Sequence, residues 1–172
     1  QEGSQIFVLY GRKEHGIREM VREFCKDKPS FYYHAPETSA LAQRQRMGRE
    51  ITSAFQAGEP EGSYEALFQN AASQDGGKLV VVIDEFQNIL KKDMEFWDAI
   101  VKRREGQLCP EPMFLLLCST SIPWIEQEMP KALGAAGKKP DRVAKCGELR
   151  FLDLVRQFPD YTLRESVEVF GV

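Results

Sequence analysis

Leu79-Val80-Val81-Val82-Ile83 places five aliphatic residues in a row, and two carboxylates, Asp84 and Glu85, follow without a spacer. A run with no polar alternation is a strand buried on both faces, the kind found in parallel sheets covered by helices. Ile6-Phe7-Val8-Leu9-Tyr10, Phe31-Tyr32-Tyr33-His34-Ala35 and Met113 to Cys118 read the same way, and Glu148 to Leu152 is a fifth strand by the same reasoning. Between them the spacing changes to that of helices. Ile17, Met20, Val21, Phe24 and Cys25 line one face of a helix that closes before Pro29. A longer helix from Ser39 to Phe55 carries Leu41, Ile51, Ala54 and Phe55 on one side. The stretch from Gly58 to Gly62 breaks it, and Ser63 caps a helix bearing Tyr64, Leu67, Phe68, Ala71 and Ala72. After a turn at Asp75-Gly76-Gly77 and the third strand come Met94, Trp97, Ile100 and Val101 on another helix. Gly134 to Pro140 reads as a loop, and Thr162 with Glu165 forms a capping box before Leu163, Val167 and Phe170.

Strand and helix therefore alternate, which predicts an α/β domain with a parallel sheet and helices on both faces. The 172 residues suit one domain, and 42% hydrophobic with 28% charged residues marks a globular chain rather than a disordered one. A net charge of −3 argues against a general nucleic-acid coat protein. No apolar run reaches the ~18 residues of a membrane span, and no signal peptide opens the chain. Cys25, Cys109, Cys118 and Cys146 lack metal or redox spacing, which predicts a reduced, cytoplasmic protein with free thiols. Opening on Gln1 rather than Met reads as a fragment or a processed product.

Ligands of such sheets bind beyond the carboxyl ends of the strands. Gly11-Arg12-Lys13-Glu14-His15-Gly16, between a strand and a helix, has the G-x-x-x-x-G spacing of a phosphate-binding loop. Backbone N–H groups and a helix N-terminus there favour an anion. The next two positions, Lys and Ser/Thr in a working loop, are Ile17 and Arg18. Ile17 brings no charge to the phosphates, and Arg18 no hydroxyl to a metal. Asp84 would hold magnesium and Glu85 would polarise an attacking water; the bland alternative is a turn with solvated carboxylates. Ser119, Thr120 or Ser121, at the end of the next strand, would sense a γ-phosphate; the bland alternative is a turn or cap residue.

These segments, Phe7 to Lys13, Leu79 to Asn88, Leu116 to Ser121 and Phe158 to Gly171, make the chain resemble the archaeal-type ATPase family in the AAA+/STAND branch of P-loop NTPases. The resemblance implies a three-layer P-loop NTPase fold with a central parallel sheet of strand order 5-1-4-3-2. It implies a single domain over residues 1–172, without the family's C-terminal winged-helix-like region. Gly11 and Gly16 match the loop glycines, Asp84 the magnesium-site acid of the Walker B strand, and Glu85 the catalytic acid. The nucleotide-binding set is then Gly11, Arg12, Lys13, Glu14, His15, Gly16, Ile17 and Arg18, with Ser119 and Thr120. The chain departs from the family at Ile17 and Arg18, and Glu14 is acidic where the family tends to be basic.

A charge-assisted hydrogen bond is worth roughly 1.5–3 kcal/mol, so the missing lysine weakens nucleotide binding by one to two decades. Hydrolysis suffers more, because the lysine also stabilises charge on the transferring phosphoryl group. The expectation is a pseudoenzyme: weak ATP and Mg2+ binding, hydrolysis lost or very slow, and a protein partner or C-terminal domain as its working contact. The alternatives are a nucleotide-independent protein-interaction module, and an active or DNA-associated ATPase. DNA is suggested by Arg44, Arg46 and Arg49, by Lys102-Arg103-Arg104, and by the basic residues from Lys138 to Lys145. His15 reads as an exposed loop residue, His34 as a strand-end residue near the core, and Trp97 and Trp124 as packing residues.

Overall fold

The aliphatic runs become the middle of one all-parallel sheet in the computed structural model, which describes residues 3–56, 62–71, 78–108, 111–134 and 138–147. The strands are β1 (Gln5–Tyr10), β2 (Ser30–His34), β3 (Leu79–Asp84), β4 (Met113–Ser119) and β5 (Arg142–Lys145). They lie in the order β2-β3-β4-β1-β5, the order the resemblance implies. β1 pairs Gln5 with Phe114 of β4 on one side and Phe7 with Arg142 of β5 on the other. β3 and β4 are buried along their whole length, as strands between two layers must be.

Alternate residues of β1, β3 and β4 enter separate cores. Ile6, Val8, Val81, Ile83, Leu115 and Leu117 join one apolar cluster with residues of α2 (Ala40–Phe55), α3 (Tyr64–Ala71) and α5 (Glu95–Arg104). Trp97 of α5 is fully buried there, and Tyr64 packs edge-on against Phe96 at 5.3 Å between ring centres. Phe7, Leu9, Val80, Val82, Phe114 and Leu116 face the other way, onto Ile17 and Val21 of α1 (Ile17–Cys25). Ser39 and Ser63 cap α2 and α3 through their hydroxyl oxygens, which accept from the N–H groups of Ala42 and Ala66.

Two expectations need correction. Leu41 is 65% exposed and Ala54 is exposed too; α2 instead buries Gln43, Met47, Gly48 and Ile51. The Gln43 amide donates to the Tyr33 hydroxyl, so a polar residue takes a core position that hydropathy assigned to leucine. β2 is not buried on both faces: it is an edge strand with Ser30, Tyr32 and His34 outward and Phe31 and Tyr33 inward. The fifth strand of the sheet is Arg142–Lys145, four residues without an apolar run, as suits a charged edge. The strand expected at Glu148–Leu152 lies outside the described residues. So do the 57–61 break, Ala72, the 75–77 turn, Cys109, residues 135–137 of the loop, the capping box and the 158–171 segment. Cys25, Cys118 and Cys146 are free thiols, and burial pushes that of Cys118 well above its ordinary range.

Candidate functional site

The polar strand ends meet at the carboxyl edge of the sheet, because parallel strands all finish there. β1 leaves the sheet at Gly11, whose N–H donates to the Ser119 carbonyl at 3.1 Å. Residues Lys13–His15 then form one 3-10 turn, and Gly16 at φ 67° swings the chain into α1. The turn uses amides that a phosphate cradle would offer: His15 N–H donates to the Arg12 carbonyl and Gly16 N–H to that of Lys13.

This loop is pinned from the β5 side. The Cys146 N–H donates to the Tyr10 carbonyl, and the His15 ring Nδ1 lies 3.1 Å from the Cys146 carbonyl. A Cβ on Gly11 would stand 3.0 Å from the Cys146 Cβ and carbonyl, a close approach that favours glycine. At Gly147, φ 94°, an added Cβ would stand 2.6 Å from the His15 ring. A π-helical turn at Trp124–Glu128 adds a further tie, since Glu126 accepts from Tyr10 Oη and Lys145 Nζ. These donors, Lys145 first, hold the Glu126 carboxyl below its usual range.

Asp84, at the end of β3, is nearly enclosed, with its side chain 4% exposed. Its Oδ2 accepts from Tyr32 Oη at 2.7 Å and Arg18 Nε at 2.9 Å, and His34 Nδ1 lies 2.9 Å away. The carboxylate raises Arg18 further above an already basic value. Burial, and then the bond to Asp84, keep the Tyr32 phenol protonated far above its ordinary range. Arg18 reaches Asp84 from the second position of α1, while Ile17 points away and is 4% exposed within the apolar cluster beneath.

Glu85 follows in the left-handed region at φ 58°, a costly conformation for a residue with a side chain. The turn is held by the Phe86 N–H on the Cys118 carbonyl. Thr120 Oγ1 donates to Glu85 Oε1 at 2.7 Å, while Gln87 Nε2 and the Thr120 N–H both donate to Oε2. The Ser119 hydroxyl instead accepts from the Ser121 N–H, within the strand exit. Arg12, Lys13 and Glu14 are exposed at the loop surface.

The geometry thus joins Arg18 with Asp84, and Thr120 with Glu85. It keeps Ile17 out of the site. Tyr32 and His34 are the residues that sequence reasoning missed; the signal was present in the edge strand's alternation, which sets both on one face, and in the register that pairs His34 with Asp84. Trp97 and Trp124 pack as expected, Trp124 edge-on to Phe86.

Solved structures share this arrangement of strands and helices. The ADP form of the Aeropyrum pernix ORC2 protein superposes with a TM-score of 0.55 at 13% identity, over 98% of this chain and 47% of that one. The Aeropyrum pernix ORC1 protein, solved in complex with DNA, gives 0.54 at 14% over 93% and 44%. The Walker-type ATPase PABY2304 of Pyrococcus abyssi gives 0.54 at 14% over 96% and 57%. The fold is that of the P-loop ATPases. No family model matches the chain. By sequence it is 21% identical over 167 residues to the uncharacterised protein MJECL04 of Methanocaldococcus jannaschii, covering 97% of this chain and 36% of that protein. The chain therefore spans about a third of that relative and about half of the solved structures.

A P-loop ATPase fold implies a magnesium ion beside Asp84, and the side chains can be tested for it. Magnesium takes oxygen ligands in an octahedron. Here the hydroxyl position is Arg18, a cation, and Oδ2 of Asp84 already accepts from Arg18 Nε and Tyr32 Oη, with His34 Nδ1 at 2.9 Å. The residues present do not fit the ion. Among the described residues no group of three or more His, Cys, Asp and Glu offers another metal site, and no helix is long and apolar enough to cross a membrane.

Proposed function

We propose that this chain is the core of a P-loop ATPase-type module that binds a nucleotide weakly and does not turn it over. The observation that carries the reading is Glu85: three hydrogen bonds from Thr120 and Gln87 occupy both its oxygens. A carboxylate whose two oxygens both face protein donors is not aimed at a water. The buried Ile17 acts in the same direction, since no cation reaches the phosphates from that position. What remains for an anion is the start of α1 and the exposed side chains of Arg12 and Lys13.

The test is calorimetric titration with ATP beside an assay of phosphate release. Weak binding with release at the level of the protein-free blank is expected. Release above that blank, abolished in Glu85→Gln, refutes the proposal.

The internal bonds of the His15 and Gly16 amides favour a second reading, a protein-interaction module indifferent to nucleotide. Ligand at ~100 times its Kd adds about 2.7 kcal/mol to stability, so an unmoved melting temperature at high ATP selects that reading. A DNA role gains little from the basic clusters. Arg44 pairs with Asp93 and Glu95, Arg46 with Glu50, Lys102 with Glu65, Arg104 with Asp141, and Lys138 with Asp98.

A further inference from the structure

We propose that Arg18 is a resident cation, standing where a divalent ion stands in a working P-loop ATPase, so that the polyphosphate this site accepts is the metal-free one. The ligand half of this inference rests on the nucleotide reading above; the geometric half does not.

A buried carboxylate needs a positive partner or several donors, because water no longer solvates it. Asp84 has both, and its full charge partner among the described residues is Arg18, bonded through Nε at 2.9 Å. In the G-x-x-x-x-G-K-[ST] pattern this position carries a short hydroxyl, which reaches the acid through the ion it helps to ligate. The arginine stem spans that gap itself and delivers its charge directly. From the neighbouring strand, the Tyr32 hydroxyl donates to Oδ2 and His34 Nδ1 lies 2.9 Å from it, so protein groups surround that oxygen. A metal entering here would meet the guanidinium at close range and would have to displace it. The Arg18 side chain remains 40% exposed; of its guanidinium N–H groups, Nε is spent on Asp84 and Nη2 lies 3.4 Å from His34 Nδ1, which leaves those of Nη1 for an anion. The same residue can therefore neutralise the acid and face a phosphate.

The experiment titrates a fluorescent ATP analogue into the wild type and Arg18→Thr, each in EDTA and in excess magnesium. Wild-type affinity is expected to be equal or weaker with magnesium, which competes for the phosphate charge. In Arg18→Thr magnesium is expected to tighten binding about tenfold. Tightening of the wild type by that factor overturns the proposal. Should Arg18→Thr not fold, Arg18→Gln removes the charge and keeps the stem.

If the analogue binds the wild type under neither condition, the nucleotide reading falls and urea unfolding decides the geometry alone. Arg18→Ala and Asp84→Asn should each raise the unfolding constant, and the double variant should lose clearly less than the product of the two. Strict multiplicativity would mean that Arg18 does not neutralise Asp84, and the resident cation would be gone.

Discussion

Gly147→Ala perturbs the place where β5 leaves the sheet and presses on the phosphate-type loop. Two costs follow from the structure. At φ 94° an L-residue is strained, and backbone held in such regions costs of order 1–3 kcal/mol. The new Cβ would also stand 2.6 Å from the His15 ring, which must swing aside and give up its contact with the Cys146 carbonyl, worth about 1 kcal/mol. The sum is about 2–4 kcal/mol. Urea unfolding followed by circular dichroism measures it as a shift in midpoint at constant slope. The two parts separate in a His15→Ala background, where the ring is absent and only the backbone cost of about 1–3 kcal/mol remains. A loss below about 0.5 kcal/mol in the wild-type background, or an equal loss in both, refutes the pinning of the loop by residues 146 and 147.

Ile17→Lys, which restores one residue of the working loop, should destabilise by about 1.5–3 kcal/mol because it withdraws a buried aliphatic side chain, and phosphate release should stay at the blank. Gained turnover would contradict the role given to Glu85. Tyr32, Tyr33 and Tyr64 all hold their protons above the ordinary phenol range, Tyr33 up to about 12, mainly through burial. An unfolded tyrosine titrates near pH ~10, so the stability they contribute is complete below that pH and is lost as pH rises toward the folded values. Urea midpoints should fall from pH ~10 upward, less steeply in Tyr33→Phe; a flat profile refutes the sign. Arg103 is 1% exposed, donates through Nη2 to the Glu111 carbonyl, and has no partner for Nε or Nη1 among the described residues. Arg103→Met should be neutral or stabilising, and a loss above about 2 kcal/mol would show a partner that this account lacks.

The central strands were legible because Leu79 to Ile83 and Met113 to Cys118 carry no polar residue, and two-sided burial is the one setting that suits them. The edges were not. Arg142–Lys145 is held by main-chain bonds to β1, which leave no mark in hydropathy. Leu41 was misassigned because one leucine fits a helical stripe by spacing alone, whereas burial followed the contact of Gln43 with Tyr33. At the site, Asp84, Glu85 and the loop could be read from residue type and position. The bond from Arg18 could not, because it depends on helix α1 aiming its second residue past β4 to the end of β3. Nor could the engagement of Glu85, which depends on the β3–β4 register bringing Thr120 alongside.

The pairing of β1 sets an order of assembly. Among the described strands β1 comes before the rest in sequence, yet both strands that flank it, β4 and β5, follow β2 and β3. Until the ribosome has released Met113 to Ser119, the greasy segment from Ile6 to Leu9 waits without a seat. Nascent chains stopped short of that point should be the ones that chaperones hold and that clump when they are not held.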